Sequence, residues 1–148
     1  MKILVINGPN LNMQGKRNRE IYGEKTLAEI DSLVKKQGEA LGVEIVTFQS
    51  NSEGALIDFI QEQSGSADGI IINPGALTHY GFSLRDALAD TKLPLIEIHL
   101  SNIYAREEWR AKSVIAPVAT GQISGLAWRG YVAALQTLVG ELKGESWG

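Results

Sequence analysis

Residues 2–10 read Lys2-Ile3-Leu4-Val5-Ile6-Asn7-Gly8-Pro9-Asn10. An unbroken apolar run from Ile3 to Ile6, rich in β-branched side chains, stops abruptly at a Gly-Pro turn signal. Nothing alternates within it, so neither face of the strand is meant for water. That is the pattern of a central strand in a parallel sheet covered on both sides. The stretch that follows, Asn7 to Gly23, therefore leaves a strand's carboxyl end, and in open α/β sheets ligands sit in the crevice outside those ends. Glycines at 8, 15 and 23 allow the loop to bend, and Asn10, Asn12, Arg17, Arg19 and Tyr22 crowd polar groups between them.

Working outward, the same unit repeats. Thr26-Leu27-Ala28-Glu29 has capping-box spacing and opens a helix with Leu27, Ile30, Val34 and Leu41 on one side and Gly42 as its stop. Val43 to Phe48 reads as a second strand, and Asn51-Ser52-Glu53 caps a second helix that buries Leu56, Phe59 and Ile60. Gly69 to Ile72 is a third strand running into Asn73-Pro74-Gly75-Ala76-Leu77-Thr78-His79. A helix over about 83–90 leads to Leu95-Ile96-Glu97-Ile98-His99, a fourth strand that ends in Leu100-Ser101-Asn102. Val114 to Ala119 is expected to be the fifth strand, near an edge because Pro117 cannot donate to a ladder. The last helix is expected from Ser124 to Leu142, with Leu126, Val132, Leu135, Leu138, Val139 and Leu142 on its apolar side. Strands alternating with helices imply right-handed crossovers and an α/β fold: a flavodoxin-like three-layer sandwich with a five-stranded parallel sheet. All three polar loops then share one edge of one domain, residues 1–148.

Composition narrows the chemistry. In 148 residues, 44% apolar, there is enough material for one core without disulfides, and the absence of cysteine removes thiol catalysis and Cys-ligated zinc. A net charge of -3 with scattered Lys and Arg argues against nucleic-acid binding. No apolar stretch is long enough to span a membrane and no signal-peptide pattern is present, so a cytoplasmic location is expected. There is no phosphate-cradling glycine motif, no nucleophile elbow, and no His-Glu-x-x-His spacing; the two histidines lie on different loops.

Acids, bases and hydrogen-bond donors remain. A phenol, with an ordinary pKa of ~10, is a poor base at neutral pH unless a cation favours its anion. Tyr22 has Arg17 and Arg19 as candidates for that cation. Glu97 and His99, two apart on a strand, point to the same face, where the carboxylate can orient and charge the imidazole as a general acid. The same pair would also form if Glu97 simply needed a partner for its burial. His79 is placed either to bind a substrate oxygen or to cap the helix after it.

The blocks N-G-P-N-L-N, the Arg17 to Tyr22-Gly23 segment, N-P-G-A-L-T-H, E-I-H-L-S-N, A-R-E-E-W-R and T-G-Q-I-S-G-L, in this order, resemble type II 3-dehydroquinate dehydratase nearly end to end. The resemblance implies reversible dehydration of 3-dehydroquinate to 3-dehydroshikimate by anti elimination through an enolate, with no cofactor and no metal. It implies Tyr22 as base assisted by Arg17, Asn10 stabilising the enolate through a bound water, and His99, oriented by Glu97, as acid. Asn73, His79, Leu100, Ser101 and Arg110 would bind substrate, and Asp86 would reach the site from a neighbouring subunit. A lid at about residues 15–23 and a homo-oligomer, a dodecamer built from trimers, are implied in the same way. The sequence departs from the family pattern at Asn18-Arg19, where Glu-Pro is common, and at Ala76, Trp109 and Trp128. Each spares the catalytic groups, so altered lid motion is expected rather than lost activity. The competing class is a flavodoxin-like binding or signalling module. A receiver of that kind needs acidic residues at the end of the first strand, where this chain has Asn7 and Gly8.

Overall fold

The computed structural model describes residues 1–145. Five strands, β1 (Lys2–Asn7), β2 (Glu44–Gln49), β3 (Gly69–Asn73), β4 (Leu95–His99) and β5 (Gly121–Ser124), form one sheet in the order β2-β1-β3-β4-β5. Every adjacent pair is parallel. A short helix, α1 (Arg19–Tyr22), precedes the connecting helices α2 (Leu27–Leu41), α3 (Glu53–Gln63), α4 (Phe82–Thr91) and α5 (Arg129–Leu142).

The period of two along the strands divides the core. Ile3, Val5, Ile71, Ile96 and Ile98 turn to one face and pack with Ile30 and Val34 of α2 and Ala134, Leu135 and Leu138 of α5. Leu4, Ile6, Ile70, Ile72 and Leu95 turn to the other, against Leu56 and Ile60 of α3 and Leu84 and Leu88 of α4. Both faces are thus dry, as continuous apolar strands require. The order reverses between β1 and β3, whose last residues, Asn7 and Asn73, are register partners. Their two loops diverge there and open the crevice in which this topology binds ligands. Gly8 makes that junction possible: a Cβ on it would lie 2.4 Å from the Pro74 carbonyl oxygen.

Local signals act as the sequence predicts in most places. Thr26 Oγ1 accepts from the Glu29 N–H at 3.2 Å, Ser52 Oγ caps α3 through the Ala55 N–H at 3.3 Å, and Gly42 ends α2 with a φ of 73°. The fifth strand is different. Residues 116–118 form a 3-10 turn, and the strand lies later, at Gly121–Ser124. Pro117 cannot join a ladder. Val114 and Ile115 bury their side chains with the α3 and α4 layer, while Ser113 Oγ accepts the N–H groups of Ile115 and Ala116. The last helix accordingly begins at Arg129 and not Ser124, and Leu126 is 52% exposed ahead of it.

Asp31 on α2 is poorly accommodated. Burial pushes its carboxyl up to about 6 from an ordinary 3.8, against the opposing charge of Lys35, and its buried Oδ1 has no partner among the described residues. Folding therefore raises its proton affinity, so stability declines as pH rises from about 4 and the full cost is present above about 6. Asp31→Asn removes the charge. It should stabilise the protein at pH 8 by about 1–2 kcal/mol, a figure reduced for partial solvent screening, and leave stability nearly unchanged at pH 3.5. Denaturant melts at the two pH values check this, and an equal gain at both would contradict it.

Candidate active site

The loops after β1, β3 and β4 enclose a cleft of about 140 Å³. Nine of the residues singled out in the sequence line it: Asn10, Arg17, Tyr22, Asn73, His79, His99, Leu100, Ser101 and Arg110. Glu97 lies behind His99, fully buried. Asp86 is exposed on α4, away from the cleft of its own chain.

Along the first loop, Asn10 has a left-handed backbone, φ 72°, and its N–H is held by Asn51 Oδ1 at 3.0 Å. Asparagine tolerates that conformation better than most residues because its short polar side chain bonds locally. Further on, Arg17 Nη2 donates to the Tyr22 hydroxyl at 3.0 Å, and the guanidinium also lies 4.0 Å from the ring centroid. Arg19 faces elsewhere, its Nε donating to the Gly15 carbonyl at 3.0 Å. A second cation, Arg106, approaches the Tyr22 ring to 5.0 Å and donates through Nη1 to Ser101 Oγ at 3.2 Å. Sequence reasoning assigned Arg106 no task, although it stands in the A-R-E-E-W-R block. The tyrosine's backbone carbonyl is held by Gln14 Nε2 at 2.6 Å, which ties the segment to the body of the domain.

Across the cleft, His99 Nε2 meets Glu97 Oε2 at 2.5 Å, leaving Nδ1 as the ring's other nitrogen. Glu97 also accepts from Thr78 Oγ1 at 2.7 Å, Ser113 Oγ at 2.7 Å and Gln122 Nε2 at 3.0 Å. Burial pushes its carboxyl up, but the hydrogen bonds from His99, Thr78 and Ser113 and the charge of His99 outweigh it and hold the group below its usual range. An ionised Glu97 fixes the Nε2 proton of His99 and with it the orientation of the ring. Thr78 and Gln122 stand in the N-P-G-A-L-T-H and T-G-Q-I-S-G-L blocks, but the sequence assigns neither them nor Ser113 a task, since hydroxyls and amides this common become informative only when brought together.

The remaining polar residues form the rim. His79 Nδ1 donates to the Lys112 carbonyl at 2.8 Å, which leaves Nε2 for the cleft, and the ring stands edge-on to Trp109 at 5.1 Å. It does not cap α4, whose N-cap is Gly81 without a side-chain bond. Arg110 stacks on Trp109 at 4.2 Å and donates through Nε to Glu107 at 2.5 Å. Its two terminal nitrogens have no hydrogen-bond partner among the described residues and form the planar fork that suits bidentate donation. Among the described residues, no three His, Asp or Glu side chains converge as a metal site would require, and no helix is long and apolar enough to cross a membrane.

A doubly wound parallel sheet with an acid-base cleft at its switch point defines an α/β enzyme whose own side chains can move protons at both ends of a small polar molecule. Residues 1–139 match the family model described as Dehydroquinase class II, and the chain belongs to that family. It is 64% identical over 140 residues to a 3-dehydroquinate dehydratase of Roseiflexus castenholzii, covering 95% of this chain and 89% of the relative. With the 3-dehydroquinate dehydratase of Bacillus subtilis the identity is 50% over 143 residues, covering 97% of each. The crystal structure of type II dehydroquinase from Butyrivibrio crossotus superposes with a TM-score of 0.91 at 47% identity, covering 93% of this chain and 97% of that one.

Proposed function

We propose that the protein is a 3-dehydroquinate dehydratase, carrying out the reversible anti elimination of water that yields 3-dehydroshikimate. The observation that supports this most is the opposition, across one cleft, of a phenol hydroxyl bonded to a guanidinium and an imidazole bonded to a buried carboxylate. Tyr22, as phenolate, takes the proton beside the ketone. The electron pair it leaves behind moves onto the carbonyl oxygen as an enolate, which Asn10 stabilises through a water. As the enolate collapses, His99 gives a proton to the departing hydroxyl and water leaves. Base and acid are separate groups on different loops, as a stepwise elimination needs. Donors aimed at the enolate oxygen act where charge develops, which is where fixed dipoles contribute most.

Asn73, His79, Leu100, Ser101 and Arg110 together hold the substrate's hydroxyls and carboxylate, Arg110 being suited to a bidentate grip. Residues 15–23 act as a lid that brings Tyr22 over the substrate and excludes water. Asp86, exposed on α4, completes the site of a neighbouring subunit in a dodecamer built from trimers. A cysteine-free chain acting on a small anion suits the cytoplasm. The same cleft in a binding or signalling module would need no acid-base pair at all.

The decisive assay mixes purified protein with 3-dehydroquinate and a chelator and follows the ultraviolet absorbance of the conjugated enone. Absorbance must grow in proportion to enzyme; no growth would reject the proposal, and growth only when a metal is restored would reject its cofactor-free form. Arg17 and Arg19 separate in the same assay. Arg17→Ala, which removes the hydroxyl's partner, should lower kcat by about 100-fold, whereas Arg19→Ala should stay within about 3-fold because it loses one loop contact. Equal mild losses would remove Arg17 as the assisting cation.

A further inference from the structure

We propose that Tyr131 of α5 is a positioning residue for the site, its hydroxyl setting which way the Asn73 amide faces. Tyr131 does not line the cleft and is fully buried. Its hydroxyl donates to Asn7 Oδ1 at 2.5 Å and accepts from Asn73 Nδ2 at 3.2 Å. The one proton it has is committed to Asn7, so toward Asn73 it can only accept. Burial pushes that hydroxyl well above its ordinary value, further than the hydrogen bond from Asn73 lowers it, so it stays protonated. On its other side, Asn73 Oδ1 accepts the Gly75 N–H at 3.1 Å. A flipped amide would set its oxygen against the tyrosine's lone pairs and its NH2 against the Gly75 N–H. Both contacts would be repulsive, so a single orientation survives.

The consequence reaches the substrate because Asn73 lines the cleft. One N–H of its amide is held by Tyr131, and the second has no partner among the described residues, which makes it the donor a substrate hydroxyl would meet. Packing alone would be served by a phenylalanine. The hydroxyl instead joins the ends of β1 and β3, whose last residues are register partners, so it stands under the point from which two of the three site loops depart.

This inference rests on the dehydratase reading, and wild-type turnover of 3-dehydroquinate, measured first, tests that reading separately. Given an active wild type, Tyr131→Phe should raise KM by about 10-fold, as expected for one lost binding hydrogen bond, with kcat changed by less than about 2-fold. In an Asn73→Ala background the same change should move KM by less than about 2-fold, because the group it orients is gone. A purely structural tyrosine would lower the melting temperature and multiply its effect fully in both backgrounds. Should Tyr131→Phe not fold, Asn7→Leu decides. It frees the tyrosine's proton to seek Asn73 Oδ1, so KM must again rise several-fold. An active wild type with KM unmoved in the variant that folds, or with full multiplication in the Asn73→Ala background, overturns the assignment of Tyr131. An inactive wild type overturns the dehydratase reading and this inference with it.

Discussion

Tyr22→Phe should retain the fold and lower kcat by about 1,000-fold, the scale of removing a general base from its reaction. The ring is half-buried and packs beside the core layer formed by α2 and α5, and a phenyl ring keeps both that contact and the approach of Arg17 and Arg106 to its face. Only the hydroxyl and its bond from Arg17 are lost. That bond joins two residues of a surface segment, so its loss should change stability by less than about 1 kcal/mol. Melting curves and steady-state rates on the same preparation separate the two effects. More than about a tenth of wild-type kcat remaining, well outside what loss of a base permits, would exclude Tyr22 from that role. A matching drop in melting temperature would mean that the segment had merely come loose.

The second large effect belongs to Glu97→Gln. Three donors besides His99 surround the carboxylate, and Ser113 has no freedom to adapt: its oxygen already accepts the N–H groups of Ile115 and Ala116. An amide at 97 can keep its oxygen toward Thr78, Gln122 and His99, but its NH2 then faces a saturated hydroxyl in a buried place. The substitution also takes away the negative charge that the His99 Nε2 meets at 2.5 Å. Turnover should fall by about 100–1,000-fold, and the orphaned donor should cost about 1–3 kcal/mol of stability. The pH dependence has a definite sign. The folded carboxyl ionises below its ordinary 4.5, so its contribution to stability is complete above about pH 4.5 and disappears as the pH falls through the folded value. Wild type and Glu97→Gln should therefore differ most near neutrality and converge in acid. A gap that stays constant down to pH 3 would show that the charge is irrelevant to the difference.

The same residues show why some of this was legible in sequence. Ile3 to Ile6 and Gly69 to Ile72 are apolar without alternation because both faces of the sheet are covered, and that requirement is written residue by residue. Polar loops at their ends, and the spacing of Glu97 and His99 on one face of β4, follow from strand geometry alone. Apolarity predicts β5 at Val114 to Ala119, ahead of its place at Gly121–Ser124, for the converse reason. At the sheet's edge, Gly121 to Ser124 holds only one large apolar side chain, Ile123, and is recognised by its ladder with β4, whereas the more apolar run before it packs with the α3 and α4 layer and joins no strand ladder among the described residues.

Local chemistry along the chain thus determined the α/β class, the caps of α2 and α3, and the groups able to exchange protons, because each depends on neighbours a few positions away. Tertiary structure alone decided that Arg106 joins Arg17 at the Tyr22 ring, that Thr78, Ser113 and Gln122 enclose Glu97, and that a helix tyrosine 58 positions from Asn73 holds its amide. These are contacts between segments far apart in sequence, and a hydrogen bond has distance and angle requirements that no order of residues specifies until the layers have packed.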